Sequence, residues 1–209
     1  MTDGRSRAPP HWLWRGTLGL MALVLTTALA LVIALAFGWN SPRPTRSPDW
    51  EAPDLPLSLE ASPNSTTASL LDCTSGDSIL EAEATPLSGS EFNGYGLIYR
   101  AQDPTRYYAF AVGGDGYYAV LRVEGDKEAM LVDWQQFPHI RRGGQTNRLR
   151  VECKDATCRF FINDEYATSV EDDTWLAGQV GLWVRGFEEH VSVRFLSARV
   201  WAPCWPLGT

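Results

Sequence analysis

Few residues in this chain have the types and spacings that chemistry needs, and the carboxylates come first. Glu81 and Glu83 stand two apart in Glu81-Ala82-Glu83-Ala84-Thr85, so on a strand they project from one face. Two acids on one face can protonate a leaving oxygen and activate water. The bland alternative, a solvated outer face, is the expectation here. Asp172 and Asp173 offer oxygen ligands of the kind calcium takes, yet adjacent aspartates beside a turn usually serve the turn. No metal and no other cofactor is expected. His139 and His190 have no Ser or Cys in a recognisable nucleophile elbow, and His11 lies at the other end of the chain. Gly113-Gly114-Asp115-Gly116 lacks the lysine and following helix of a phosphate loop.

The four cysteines carry a firmer reading. Cys153 and Cys158 bracket four residues, Lys154-Asp155-Ala156-Thr157, a common hairpin-loop length, between alternating runs at 149–151 and 160–162. They are expected to face each other across antiparallel strands as a disulfide. Cys73 and Cys204 then remain to close most of the domain into one loop. The paired Cys-x2-Cys of zinc modules is missing and no histidine is near, so disulfides in an oxidising compartment are favoured over a metal site.

Aromatic and basic residues suggest a binding face. Alternation in 94–101 sets Leu97 and Tyr99 against Ile98 and Arg100; in 179–185 it sets Val180, Leu182 and Val184 against Trp183 and Arg185. If the charged side faces out, Trp183 goes with it, and an indole beside arginines is the composition that stacks sugar rings and bonds their hydroxyls. Tyr107, Tyr117 and Trp134 would extend that surface. The competing reading is that these rings cover sheet faces, since tryptophan is highly buried on average.

The elements that must position these residues read as strands: 78–84, 94–101, 106–113, 116–124, 129–134, 147–154, 157–163, 179–185 and 191–201. All are short runs rich in aromatic and β-branched residues, separated by Gly, Pro, Asn and Asp. Their number and spacing predict an all-β, two-sheet antiparallel jelly-roll sandwich over 69–205. The segments 94–101, 107–110, 116–118, 147–151, 161–164 and 178–182 resemble the concanavalin A-like lectin/glucanase superfamily. Within it, laminin-G-like and 3-keto-disaccharide-hydrolase-like jelly rolls are the most similar. The resemblance implies a curved sandwich that often holds carbohydrate, in some members with calcium. Glu81 and Glu83 lack the denser Glu-x-Asp-x-x-Glu pattern of the glucanase branch, so it transfers no catalytic residue.

Ahead of the strands, 16–37 is free of charge and, at about 1.5 Å per residue, long enough to cross a bilayer core of about 30 Å. Trp12, Trp14 and Trp39 would lie at the two interfaces. A single transmembrane helix is expected over 16–38, a short basic cytoplasmic tail over 1–15, and a disordered Pro/Ser-rich linker over 39–68. Arg5, Arg7 and Arg15 before the span, against Arg43 and Arg46 after it, favour a cytoplasmic N-terminus. Ala34-Leu35-Ala36 keeps a cleaved signal peptide as the alternative, in which case the domain is secreted. Asn64-Ser65-Thr66 is a formal glycosylation acceptor on the exported side.

The chain's formal charge of −7 argues against nucleic acid and anionic lipid surfaces as partners. Three functions stay in view. The favoured one is a membrane-tethered, non-catalytic recognition or scaffold domain outside the cell that binds glycan or another surface protein. The others are a sugar-active hydrolase or lyase, and a sensor domain signalling through a partner protein.

Overall fold

A computed structural model describes residues 11–36 and 44–204, in two units divided after residue 42. The first holds helix α1, His11–Ala36, whose side chains are described over 19–32. Thr26 and Thr27 fold their hydroxyls back onto the carbonyls of Leu23 and Val24. Among the described residues no helix is long and apolar enough to cross a membrane. The span expected over 16–38 is therefore not found there: the stretch with described side chains is shorter than the roughly 20 residues a crossing needs. Residues 1–10 of the expected basic tail, 37–43 and 205–209 lie outside the described residues.

The second unit is the expected antiparallel sandwich. One sheet has seven strands, in the order β1 (Trp50–Glu51), β13 (Val191–Trp201), β4 (Ser78–Ser88), β9 (Asn147–Lys154), β10 (Thr157–Ile162), β11 (Glu165–Glu171), with β2 (Leu57–Ala61) also on β13. The other has six: β3 (Ser65–Ser75), β12 (Gly178–Gly186), β5 (Gly94–Asp103), β6 (Arg106–Gly113), β7 (Tyr117–Glu124), β8 (Lys127–Gln136). All nine expected strands are present.

Between the sheets, period-two alternation does the sorting. Leu97 and Tyr99, Tyr108 and Phe110, and Leu182 and Val184 meet Leu149, Val151, Phe160, Ile162, Val193 and Phe195 in one continuous core. Tyr99 stacks on Tyr108 at 5.1 Å, and Phe110 packs on Phe160 at 5.0 Å, contacts that add to the area buried.

The linker expected over 39–68 is corrected. Residues 50–68 contribute β1, β2 and the first part of β3, all hydrogen-bonded into the sheets. Their prolines and serines resemble a solvated stalk, but pairing with β12 and β13 satisfies their backbone groups. Both disulfides form as expected. Cys153 and Cys158 are register partners on β9 and β10, and Cys73 joins Cys204 across 131 residues. Closing so long a loop is worth about 5 kcal/mol by chain entropy.

Candidate functional site

The expected aromatic face is the outer side of the six-stranded sheet. Trp183, Tyr107 and Trp134 do meet there, with Ile98, Leu121 and Leu70, in a second apolar cluster. They are floor and filling, because Trp183 is only 1% exposed and Tyr107 is buried beside it. The indole packs against β5: a Cβ on Gly94 would come within 2.8 Å of Trp183 Cζ3 and 3.6 Å of Trp134. Trp134 meets Phe187 edge-on at 6.1 Å.

Arg185 grips Glu128 with one nitrogen 2.7 Å from each carboxylate oxygen. These residues sit on β12 and β8, with three strands between them. On a flat sheet such strands would be about 19 Å apart, so the sheet curls strongly and the ion pair closes across the hollow. Arg185 also covers the Phe187 ring. Trp183 Nε1 is buried without a full hydrogen bond, although the Tyr107 hydroxyl lies close enough to feel it; burial raises the Tyr107 pKa.

Arg100 does not join this face. The ladder slips after Tyr99, Arg100 takes a φ of 51°, and this irregularity re-aims the side chain. Its nitrogens donate to the carbonyls of Asp155 (2.6 Å) and Trp175 (3.3 Å), leaving it buried as a tie between loops. Tyr117, at the start of β7, is 37% exposed, the most accessible of the six candidates.

Charge is concentrated instead on the outer face of the seven-stranded sheet, where strand register sets up parallel rows. Arg199, Glu81, Arg150, Phe161 and Tyr166 form one row. Ser197, Glu83 and Arg148 form the next. Glu81 and Glu83 thus share a face, as alternation predicts, but Glu81 is not solvated: it is 7% exposed. Burial raises its pKa, against the pull of Arg148, Arg150 and Arg199, of which Arg148 and Arg199 approach to 4.0 Å. Glu83 accepts from Arg148 at 3.0 and 3.1 Å.

Arg150 is 98% buried by its neighbours: it lies 4.4 Å over the Phe161 ring and 3.4 Å from Glu152. None of its guanidinium nitrogens makes a full hydrogen bond. At the hairpin end, the row Trp201, Ile79, Glu152, Arg159 borders an open groove of about 710 Å³. Asp77, Ser78, Cys153, Lys154, Asp155 and Thr157 complete its walls. Glu152 pairs with Arg159, and Trp201 Nε1 donates to the Arg46 carbonyl at 2.8 Å. This groove was missed in sequence, although a signal existed. Pairing Cys153 with Cys158 fixes the hairpin register, and that register sets Glu152 opposite Arg159.

The remaining candidates are structural. Asp172 accepts from Tyr108 (2.6 Å), Arg122 (2.7 Å) and the Thr174 amide (2.9 Å). Burial works to raise its pKa, but those hydrogen bonds and the Arg122 charge bring it below the usual value. Among the described residues no acidic or histidine cluster of metal-binding size occurs. The His139 ring lies against Phe137, and His190 reaches Glu60 at 3.5 Å.

No family model matches the chain, and no curated protein matches it either. Solved structures do. The carbohydrate-binding module CBM66 from Bacillus subtilis is similar with a TM-score of 0.60 at 16% identity, over 68% of this chain and 86% of that one. A functionally unknown protein from Saccharomyces cerevisiae is similar with a TM-score of 0.54 at 14% identity, over 75% and 94%. At such identities the likeness is one of fold. It is consistent with the concanavalin A-like sandwich that the strand grammar resembles.

Proposed function

We propose that this chain is a non-catalytic recognition domain that binds carbohydrate outside the cell, held at the membrane by its N-terminal helix. The observation that carries it is the state of Glu81 and Glu83. Both sit on one sheet face, as a glycosidase pair would, but arginines engage them: Arg148 holds Glu83, and Arg148 and Arg199 flank Glu81. Acid–base catalysis needs one carboxyl free to give a proton and the other free to attack or activate water. The pair is built into a polar lattice instead, on a fold also used by a carbohydrate-binding module.

Two disulfides support an oxidising compartment. The tether is supported by the uncharged run of α1 and by its exposed Leu20, Met21, Leu23, Val24, Leu25, Leu29, Leu31 and Val32, which an aqueous setting leaves uncovered. A glycan array probed with the full chain in mild detergent tests the recognition reading. Retention of a defined set of glycans is expected, and a blank array overturns the reading. Resistance of the chain to alkaline extraction from membranes tests the tether; release into the soluble fraction counts against it.

A further inference from the structure

Resting on that recognition reading, we propose that the sugar-contacting surface is the groove on the outer face of the seven-stranded sheet, not the aromatic face of the six-stranded sheet, and that its ligand is an uncharged stretch of glycan chain. Three observations lead there.

The first is access. On the six-stranded sheet the large rings are consumed: Trp183 is 1% exposed and Tyr107 4%. On the other face about 710 Å³ stands open, within the range of small-ligand sites, about 300–1,000 Å³.

The second is the chemistry of the walls. Asp77, Glu152 and Asp155 stand beside Lys154 and Arg159, three acids to two bases, while Ser78 and Thr157 add hydroxyls and Ile79 and the edge of Trp201, 8% exposed, add an apolar strip. A ligand suited to such walls accepts at some points, donates at others and turns an apolar side to the strip. A sugar ring, with its rim of hydroxyls and its C–H faces, has that make-up; a polyanion would meet three acids against two bases, and a polycation would meet both bases. Glu152 is held between Arg150 and Arg159, one on each carboxylate oxygen, and each oxygen keeps a lone pair for a further donor.

The third is the place of the groove in the sheet. It crosses β13, β4, β9 and β10, each hydrogen-bonded to a neighbour on both sides. No free strand edge runs along it, so a peptide cannot bind there by strand addition, the mode that supplies main-chain affinity.

The test compares variants of the full chain in detergent against the best-retained neutral oligosaccharide of the array, against a uronate-bearing analogue, and against a peptide array. Arg159→Ala and Lys154→Ala remove exposed side chains at the groove. Each is expected to weaken binding tenfold or more while the melting temperature stays within a few degrees. Glu152→Gln is expected to do the same; if it melts early because Arg150 loses its neighbour, the two exposed variants still decide. Arg185→Ala, on the opposite sheet, is expected to leave the affinity unchanged. Binding lost in Arg185→Ala but intact in Arg159→Ala and Lys154→Ala overturns the site and spares the recognition reading. Preference for the uronate or for peptides overturns the ligand class, and no glycan binding at all overturns both.

Discussion

Glu81 and Asp172 are pushed in opposite directions by their surroundings, and stability should register both. The Glu81 pKa is raised by burial, so the unfolded chain gives up this proton first. Stability from this group should fall as pH rises from the ordinary value of 4.5 through the raised one. Asp172 is the reverse: burial is outweighed by hydrogen bonds and Arg122. Its contribution is present above 3.8 and lost as pH falls through the lowered value. Urea unfolding at steps from about pH 3 to 7 measures both. Glu81→Gln should flatten the upper part of the curve and Asp172→Asn the lower part; unchanged slopes would contradict the assignments. Trp183→Ala should cost about 3–5 kcal/mol, the range for a buried ring, and Gly94→Ala about 1–3 kcal/mol because its methyl meets that indole. Denaturation midpoints check these, and a Trp183→Ala chain as stable as the parent would show the ring to be free.

The elements differ in how legibly they are written. β5, β6, β7 and β12 are runs of aromatic and β-branched residues because both of their faces are buried, one in the main core and one under Trp183 and Tyr107. β3 and β11 escape notice because they are outer strands with half-exposed faces: Ser65–Ser75 and Glu165–Glu171 are mostly small or polar and owe their place to pairing with β12 and β10. Arg100 shows the limit of period-two reasoning, since one ladder slip sends it to the wrong side. The boundary at residue 69 has a direct test. A chain beginning there lacks β1, β2 and the start of β3, so β12 and β13 lose partners, and it should fail to unfold cooperatively. A chain beginning at residue 44 should show one sharp transition, and equal behaviour of the two would contradict the assignment of 50–68 to the fold.

At the scale of the whole molecule there are two units, a helix with exposed apolar side chains over 19–32 and a disulfide-closed sandwich. The sandwich and its cystine pairs follow from strand alternation and cysteine spacing, both local patterns. The groove was only partly legible: the cystine hairpin sets Glu152 opposite Arg159, but Ile79 and Trp201 come from β4 and β13, distant in sequence, and join it only through sheet order. The aromatic face was half legible. Alternation collects Trp183 and Arg185 on one side, but nothing local to β12 says that the sheet curls until Arg185 meets Glu128. Recognition without turnover is the central claim. Its most direct measurement is recovery of the bound glycan after prolonged incubation with the full chain, analysed by mass spectrometry. The glycan should return intact and at its original mass; fragments that disappear with Glu81→Gln or Glu83→Gln would make the protein an enzyme and contradict the account.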